Sequence, residues 1–130
     1  MSAALSPAEP CLFVGDLPRS LAYFTGTLGF AVVFTWGEPA FYGQVRRDDA
    51  LLNLRHVDSS PFLPGRREAG ELLAASINVG DAAALETLFG EFRDAGADFF
   101  RPLKREPWGA LTFIVRDPDG NLLLFSGSAA

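Results

Sequence analysis

The stretch Val14-Gly15-Asp16 recurs further along the chain as Val79-Gly80-Asp81, and this internal repeat decides the fold. In both copies a short apolar run reaches a glycine, and an aspartate then stands where the N-cap of a helix is expected. An N-cap carboxylate accepts hydrogen bonds from the first free N–H groups of a helix. The repeat therefore predicts two copies of one structural unit, each containing a strand that leads into a helix.

A helical pattern follows each copy of the repeat. Apolar residues recur at the spacing of one buried helix face, at Leu17, Leu21, Phe24 and Leu28 in the first copy and at Leu85, Leu88, Phe89 and Phe92 in the second. Gly29 and Gly96 then stand at matching positions. A glycine is expected there because the chain leaves a helix most easily through a residue with positive φ.

Short β-rich runs follow each helix. The predicted strands are Ala31–Trp36, Ala40–Val45 and Ala50–Arg55 in the first half, and Asp98–Leu103, Ala110–Arg116 and Leu122–Ser126 in the second. The pattern predicts an α+β fold of two βαβββ modules. One helix covers only one face of its sheet, so we expect the modules to share a curved mixed sheet with a concave cleft. Ligand sites tend to form in such clefts.

The chain of 130 residues has the length of a single domain. We expect the first module over residues 9–56, a linker over residues 57–70 and the second module over residues 71–128. The linker segment contains Pro, Gly and Ser without periodicity. The pair Arg66-Arg67 within it is predicted to be solvated.

Charge and composition exclude several function classes. The chain is 48% hydrophobic and carries a formal net charge of −5. Binding to nucleic acid or to an anionic membrane needs clustered Lys and Arg, so a cationic or neutral small molecule is the expected partner. Residues 1–10 lack a basic, apolar leader, and the sequence has no window approaching the roughly 20 apolar residues of a membrane helix. We therefore expect a cytoplasmic protein.

Few residues offer catalytic chemistry. The single cysteine, Cys11, is predicted to be a buried structural thiol. The single histidine, His56, is predicted to be a hydrogen-bonded structural side chain on the strand face opposite Asn53. The carboxylate pairs Asp48-Asp49 and Asp117-Asp119 occupy hairpin turns, where capping of the turn explains them.

Four motifs carry a family resemblance: Val14-Gly15-Asp16-Leu17, Leu28-Gly29-Phe30, Pro107-Trp108-Gly109 and Asp117-Pro118-Asp119-Gly120-Asn121. In this order and spacing the sequence resembles the vicinal-oxygen-chelate superfamily over nearly the whole chain. That superfamily includes glyoxalase I, extradiol dioxygenases and bleomycin-resistance proteins. The resemblance implies the same fold of paired βαβββ modules.

Metal-dependent members of the superfamily hold a divalent cation in the cleft with His, Gln and Glu side chains. The matching positions in this sequence are Glu9, Asn53, Ala74 and Leu124. Of these, Glu9 is the one ordinary metal ligand, and Ala74 and Leu124 have no donor atom. A divalent site needs about three protein ligands, so we expect no metal and no other cofactor.

The bleomycin-resistance branch is the more similar one. Its members are acidic dimers that bind ligand in crevices at the subunit interface, with aromatic rings stacked on flat ligand groups. The resemblance implies that Phe41 and Trp108 form aromatic walls. Trp36 and Asn53 are further candidates for contacts with the ligand. Tyr42 is a further candidate, although strand alternation prevents Phe41 and Tyr42 from both facing inward.

Dimer formation is implied by the same resemblance. Chains of the bleomycin-resistance branch exchange amino-terminal arms where a proline begins the first strand, and Pro10 matches that proline. The expected assembly is a homodimer.

The sequence leaves three functions open. The first is a homodimeric protein that sequesters a planar, cationic or neutral small molecule, with bleomycin-type glycopeptides as the example that the resemblance suggests. The second is a lyase, isomerase or dioxygenase that uses a metal bound at unusual ligands such as Glu9. The third is an interaction module. For Trp108 an alternative also stays open: the indole is a buried core residue and does not contact a ligand.

Overall fold

A computed structural model describes residues 2–129 of the chain. The helices are α1 (Leu17–Gly26), α2 (Arg66–Ala69) and α3 (Ala82–Asp94). The strands are β1 (Cys11–Val14), β2 (Ala31–Gly37), β3 (Ala40–Arg47), β4 (Ala50–His56), β5 (Leu73–Asp81), β6 (Asp98–Arg105), β7 (Leu111–Arg116) and β8 (Leu122–Ser128). The α+β class and the repeated βαβββ order are confirmed. Within the described residues, no helix is long and apolar enough to cross a membrane.

Each βαβββ unit builds its own four-stranded sheet. The strand order is β1-β4-β3-β2 in the first sheet and β5-β8-β7-β6 in the second. In both sheets the first strand of the unit runs parallel to its last strand, and the other neighbours are antiparallel. The two sheets therefore have one topology, and β1 and β5 each lie at a sheet edge.

The repeated aspartates begin the two long helices, as the sequence predicts. The Asp16 carboxylate accepts a hydrogen bond from the Arg19 N–H at 3.1 Å, and the Asp81 carboxylate accepts one from the Ala84 N–H at 2.9 Å. Each bond satisfies one of the N–H groups that a helix start leaves free.

The ends of the two helices differ in detail. Helix α1 ends at Gly26, earlier than the apolar spacing predicts, but Leu28 beyond it is still buried. Gly29 and Gly96 have φ values of 76° and 83°. Both glycines therefore supply the left-handed turn that was expected of them.

Alternation along the strands separates a buried face from an open one. Leu12 and Val14 of β1 are almost completely buried, whereas Cys11 is exposed. The prediction of a buried Cys11 thiol is wrong, because apolar sequence neighbours do not fix which strand face a residue occupies. Buried apolar residues of both units form one core cluster, which includes Phe24, Leu54, Leu85, Phe92, Phe113 and Leu123.

Hydrogen bonds from the β7–β8 turn join the second unit to the first. The Asp119 carboxylate accepts a hydrogen bond from the Gly15 N–H at 2.9 Å. The side-chain amide of Asn121 donates to the Phe13 carbonyl at 3.0 Å. The carboxylates of the Asp-Pro-Asp-Gly turn therefore cap local structure, as expected, and also hold the two units together.

Arg67 does not behave as a solvated residue. Its guanidinium donates to Asn121 Oδ1 at 3.1 Å and to the Asp119 carbonyl at 2.8 Å, and it lies over the Phe62 ring at 4.2 Å. Arg66, in contrast, is exposed. The solvated-pair prediction is wrong for Arg67 because its partners lie far away in the sequence. The segment predicted to be a linker also contains α2.

A second junction between the units is built around Arg47 at the end of β3. Its guanidinium donates to Glu91 Oε1 on α3 at 3.0 Å and to the Leu28 carbonyl at 2.8 Å. The hydrogen bond from Arg47 lowers the pKa of Glu91. This ion pair neutralises the charge of Arg47 at the junction.

Candidate functional site

The first sheet has an open face on the side opposite α1. Strand register places Cys11, Asn53, Gln44 and Phe34 side by side on this face. The residues between them in sequence, such as Leu54, point into the core. We call this surface the open face of the first sheet; its next row holds Phe13, Arg55, Tyr42 and Trp36.

Aromatic rings form a wall on the open face of the first sheet. The Phe34 and Tyr42 rings stack with centroids 6.2 Å apart and an interplanar angle of 19°. Trp36 lies beyond them and is 67% exposed. Aromatic rings that are at least partly exposed and lie close together present an apolar surface on which a planar ligand can stack.

A polar cluster lies beside these rings. The Gln44 side-chain amide donates to Glu9 Oε1 at 3.0 Å and to Asn53 Oδ1 at 2.9 Å. Desolvation raises the pKa of the Tyr42 hydroxyl, and the neighbouring Cys11 and Glu9 raise it further. The Glu9 carboxylate is exposed, so it can accept hydrogen bonds from a ligand as well as from Gln44.

Phe41 occupies the other side of β3 from Tyr42. It lines a shallow depression beside the start of α1 together with Leu17, Pro18 and His56. Its ring also meets Trp36 edge-on, with centroids 5.7 Å apart. Phe41 and Trp36 are thus brought together at one end of the β2–β3 hairpin.

His56 lies on the strand face opposite Asn53, as predicted from alternation. Its Nε2 atom is 3.0 Å from an oxygen of the exposed Asp58 carboxylate. The imidazole therefore has a hydrogen-bond partner, as expected, and that partner is an exposed carboxylate.

The second sheet also has a face on the side opposite α3, but it is only partly open, because Ile114 and Thr112 on it are almost completely buried. Register places Arg101, Ile114 and Leu124 side by side there. The Arg101 guanidinium donates to Glu106 Oε1 at 2.9 Å and to the Thr112 hydroxyl at 3.2 Å. The hydrogen bond from Arg101 lowers the pKa of the nearly buried Glu106. This surface, the open face of the second sheet, therefore carries a fixed carboxylate–guanidinium pair.

Trp108 stands in the tight turn between β6 and β7. The Gly109 N–H donates to the Glu106 carbonyl at 2.8 Å, and Gly109 has a φ of 99°. The indole is 74% exposed, so it does not belong to the core of a single chain.

The predicted site residues are only partly brought together. Trp36 meets Phe41, and Asn53 joins the polar cluster on the open face of the first sheet. Trp108 belongs to the other unit. The Pro10 carbonyl accepts a hydrogen bond from the Asn53 N–H at 2.9 Å, which ties the start of β1 to β4 of the same chain.

The four residues at positions that match metal ligands of the superfamily do not together form a set of metal-binding donor atoms. Glu9 and Asn53 are linked by a 3.3 Å hydrogen bond, but Ala74 and Leu124 have hydrocarbon side chains. Residues 2–129 contain no group of three or more His, Cys, Asp or Glu side chains that could hold a metal ion.

Several residues of the two open faces were not singled out from the sequence. Phe34 and Gln44 could have been found, because each stands two positions from a named candidate, Trp36 or Tyr42, and alternate strand residues share a face. The network of Arg101, Glu106 and Thr112 has no comparable sequence signal. It depends on strand pairing that brings the three side chains together.

Comparison with known proteins supports a family for this chain. The model of the Glyoxalase/Bleomycin resistance protein/Dioxygenase superfamily matches residues 6–125. No curated protein sequence matches significantly.

Solved structures match almost the whole chain. The bleomycin-binding protein from Streptomyces verticillus, solved as its complex with copper(II)-bleomycin, is 25% identical, with a TM-score of 0.73 and coverage of 99% of each chain. TioX from Micromonospora sp. ML1 is 22% identical, with a TM-score of 0.67, covering 96% of this chain and 98% of that one. The bleomycin resistance determinant encoded on transposon Tn5 is 18% identical, with a TM-score of 0.74, covering 97% and 100%. The last two likenesses show the fold alone.

Proposed function

We propose a function from the premise that this chain belongs to the Glyoxalase/Bleomycin resistance protein/Dioxygenase superfamily. In this proposal the protein binds and sequesters a planar, cationic or neutral small molecule. Binding needs no metal and no covalent step. The ligand occupies an aromatic cleft at the interface of a homodimer.

The observation that carries this proposal is the aromatic wall on the open face of the first sheet, where Phe34 stacks on the half-buried Tyr42 and the exposed Trp36 pairs with Tyr42 in the strand register. A soluble domain gains nothing in stability from leaving large rings in water. A cluster of them beside hydrogen-bonding groups is typical of a ligand-binding surface. The similar protein from Streptomyces verticillus was solved with a bleomycin complex, which supports a ligand with flat rings.

The polarity of the site supports a cationic or neutral ligand. The exposed carboxylate of Glu9 lies next to the aromatic wall, and the chain as a whole carries a net charge of −5. A cation gains from the carboxylate and from the negative faces of the rings. An anionic ligand would be repelled by both.

A second copy of the chain would complete the cleft. Trp36 on the first unit and Trp108 on the second are both highly exposed in one chain. In the dimer we propose, the open face of the first sheet faces the open face of the second sheet of the partner, with the β1 strands near Pro10 at the contact. Sedimentation velocity over a wide concentration range should then give a dimer, and a monomer at every concentration would refute this assembly.

The decisive experiment is calorimetric titration of the purified protein with copper(II)-bleomycin and with a neutral polycyclic dye. Tyr42→Ala should weaken binding of the ligand that titrates by about tenfold, because a stacked aromatic contact and its buried area contribute about 1.4 kcal/mol or more. Tyr42→Phe keeps the ring and is the matched control. Equal affinity in the parent and in Tyr42→Ala would rule out the aromatic wall as the site.

Elemental analysis separates this proposal from the enzyme alternative. The binding protein we propose contains far less than one Zn, Ni, Mn or Fe per chain after purification without chelators. A stoichiometric metal that Glu9→Ala removes would instead favour a lyase, isomerase or dioxygenase.

A further inference from the structure

A cavity of about 300 Å³ lies at the junction of the two units where Arg47 meets α3. The β3–β4 hairpin closes one side of it, and residues 77–80 of the edge strand β5 form another. Its apolar lining includes the largely buried rings of Phe30, Phe92 and Phe125. This volume is at the lower end of the range for small-molecule pockets. The cavity is separate from the two open faces.

The internal repeat explains why this cavity exists. The segment Asp49-Ala50 in the first hairpin corresponds to the segment from Asp119 to Asn121 in the second. In both hairpins the turn begins after an Arg, Arg47 or Arg116, and a Leu-Leu pair follows the segment directly. At the matching junction, Asp119 and Asn121 reach across and bond the backbone at Gly15 and Phe13.

In the first hairpin the turn is shorter and Ala50 has only a methyl group where Asn121 has an amide. The side chains that fill one junction are therefore missing from the other. The space that they would occupy is the cavity, and the edge strand beside it runs through Asn78 and Gly80, the counterparts of Phe13 and Gly15.

Charge at the cavity points to the type of ligand. Asp48 and Asp49 both line it and are exposed. Among the side chains of residues 2–129, no cation or hydrogen-bond donor pairs with either carboxylate. The one guanidinium in the lining, Arg47, is already bound to Glu91. The cavity thus combines an apolar interior with two carboxylates at its rim. Arg46 and Arg47 lie close to Asp48, since Arg46 donates to its backbone carbonyl at 2.8 Å, and Asp49 is the freer of the two carboxylates.

We propose that this cavity binds a small organic cation with an apolar body, of the arylalkylammonium class. The hydrocarbon part packs against the partly exposed side chains of Ile77 and Leu88 in the lining, and the ammonium group donates hydrogen bonds to Asp48 and Asp49. An ionised donor on a carboxylate makes a stronger hydrogen bond than a neutral one. The site therefore discriminates against neutral molecules of the same shape.

The test is titration of the ¹⁵N-labelled protein with 2-phenylethylammonium, followed by amide chemical shifts, and with 2-phenylethanol as the neutral probe. The expected result is a saturable shift of amides at residues 77–80 and on α3 near Leu88. The neutral probe should bind at least tenfold more weakly. Asp49→Asn should weaken binding of the cation about fivefold or more.

Two further variants make the test specific. Ala50→Asn supplies the side chain found at Asn121 and should abolish the shifts by filling the cavity. Glu38→Gln removes the same charge at the opposite end of β3, which spans Ala40–Arg47, and should leave the affinity unchanged.

Three outcomes would overturn the proposal. The first is shifts confined to the open faces near Trp36 or Trp108, and the second is equal affinity for the neutral probe. The third is unchanged binding of the cation in Asp49→Asn. This variant tests the proposal even if Ala50→Asn fails to fold.

Discussion

The carboxylate of Asp117 accepts a hydrogen bond from the Asn121 N–H at 2.8 Å, and both residues are almost completely buried. The side-chain amide of Asn121 and the Asp119 N–H donate to the same carboxylate. These bonds favour the charged form, but desolvation is the larger effect and raises the pKa of Asp117 from 3.8 to about 6.

The raised pKa predicts a pH dependence with a definite sign. Below about pH 4 Asp117 is protonated in both the folded and the unfolded chain. Between about pH 4 and 6 the unfolded chain releases the proton first, so the folded chain loses stability as pH rises, by about 3 kcal/mol at most. Above about pH 6 the contribution is constant.

Chemical unfolding of the parent and of Asp117→Asn at several pH values checks this. The free energy of unfolding of the variant should improve relative to the parent as pH rises from about 4 to 6. Glu91 and Glu106, whose pKa values are lowered, contribute in the opposite direction but cancel in this difference. A difference that does not change with pH would contradict the assignment.

Removal of the Asp119 side chain should weaken the junction between the units. Asp119→Ala leaves the Gly15 N–H without its acceptor and breaks the ion pair with Arg19, so we expect a loss of about 1–3 kcal/mol in the free energy of unfolding. Asp49→Ala is the matched control, because its exposed carboxylate should change stability by less than about 0.5 kcal/mol. Equal effects of the two substitutions would argue against the bond to Gly15.

Local signals in the sequence were enough to predict the fold. The N-cap aspartates and the glycines with positive φ are short-range features, and each occurs at matching positions in both copies of the repeat, which strengthened the prediction of two similar units. Strand alternation then placed His56 correctly opposite Asn53. What local signals could not supply was the face of the short strand β1, and Cys11 was therefore assigned to the core.

The junctions between the units and the candidate site were harder to predict, because both depend on contacts between distant residues. From the sequence, Arg67 is predicted to be solvated, because the turn residues that it bonds, Asp119 and Asn121, are more than fifty residues away. The cavity was equally hard to predict. Nothing about Ala50 alone indicates that Asn121, its counterpart in the second hairpin, fills the matching junction between the units. Aromatic residues such as Phe34 were visible in the sequence, but the face they occupy depends on strand register.

Cys11 offers a probe of the open face of the first sheet. Its thiol is exposed in the single chain and neighbours Tyr42 on the wall of the proposed cleft. Because this cleft is open to solvent when no ligand is bound, the thiol should react with Ellman's reagent in the folded protein. A ligand bound on the aromatic wall should slow that reaction about tenfold or more. The rate in denatured protein serves as the control, because the ligand should not change it. A thiol that reacts only after unfolding would show that this face is covered.

Truncation of Trp108 separates a role in binding from a role in folding. A core Trp replaced by Ala costs about 3–5 kcal/mol, but this indole is 74% exposed. Trp108→Ala should therefore change the free energy of unfolding by less than about 0.5 kcal/mol. If the ring closes the cleft on a ligand held by the partner's aromatic wall, the same variant should bind about tenfold more weakly.

Phe41→Ala is the companion variant, because Phe41 lies on the other side of β3 from Tyr42 and touches Trp36 at the end of the hairpin. If Phe41 contributes a wall, its removal weakens binding as much as that of Trp108. If it only supports Trp36, binding falls less and Trp36→Ala has the larger effect. Unfolding and ligand titration on the same three proteins decide this. Loss of stability in Trp108→Ala with unchanged affinity would mean that the indole packs against protein, and the ligand site would then lie elsewhere.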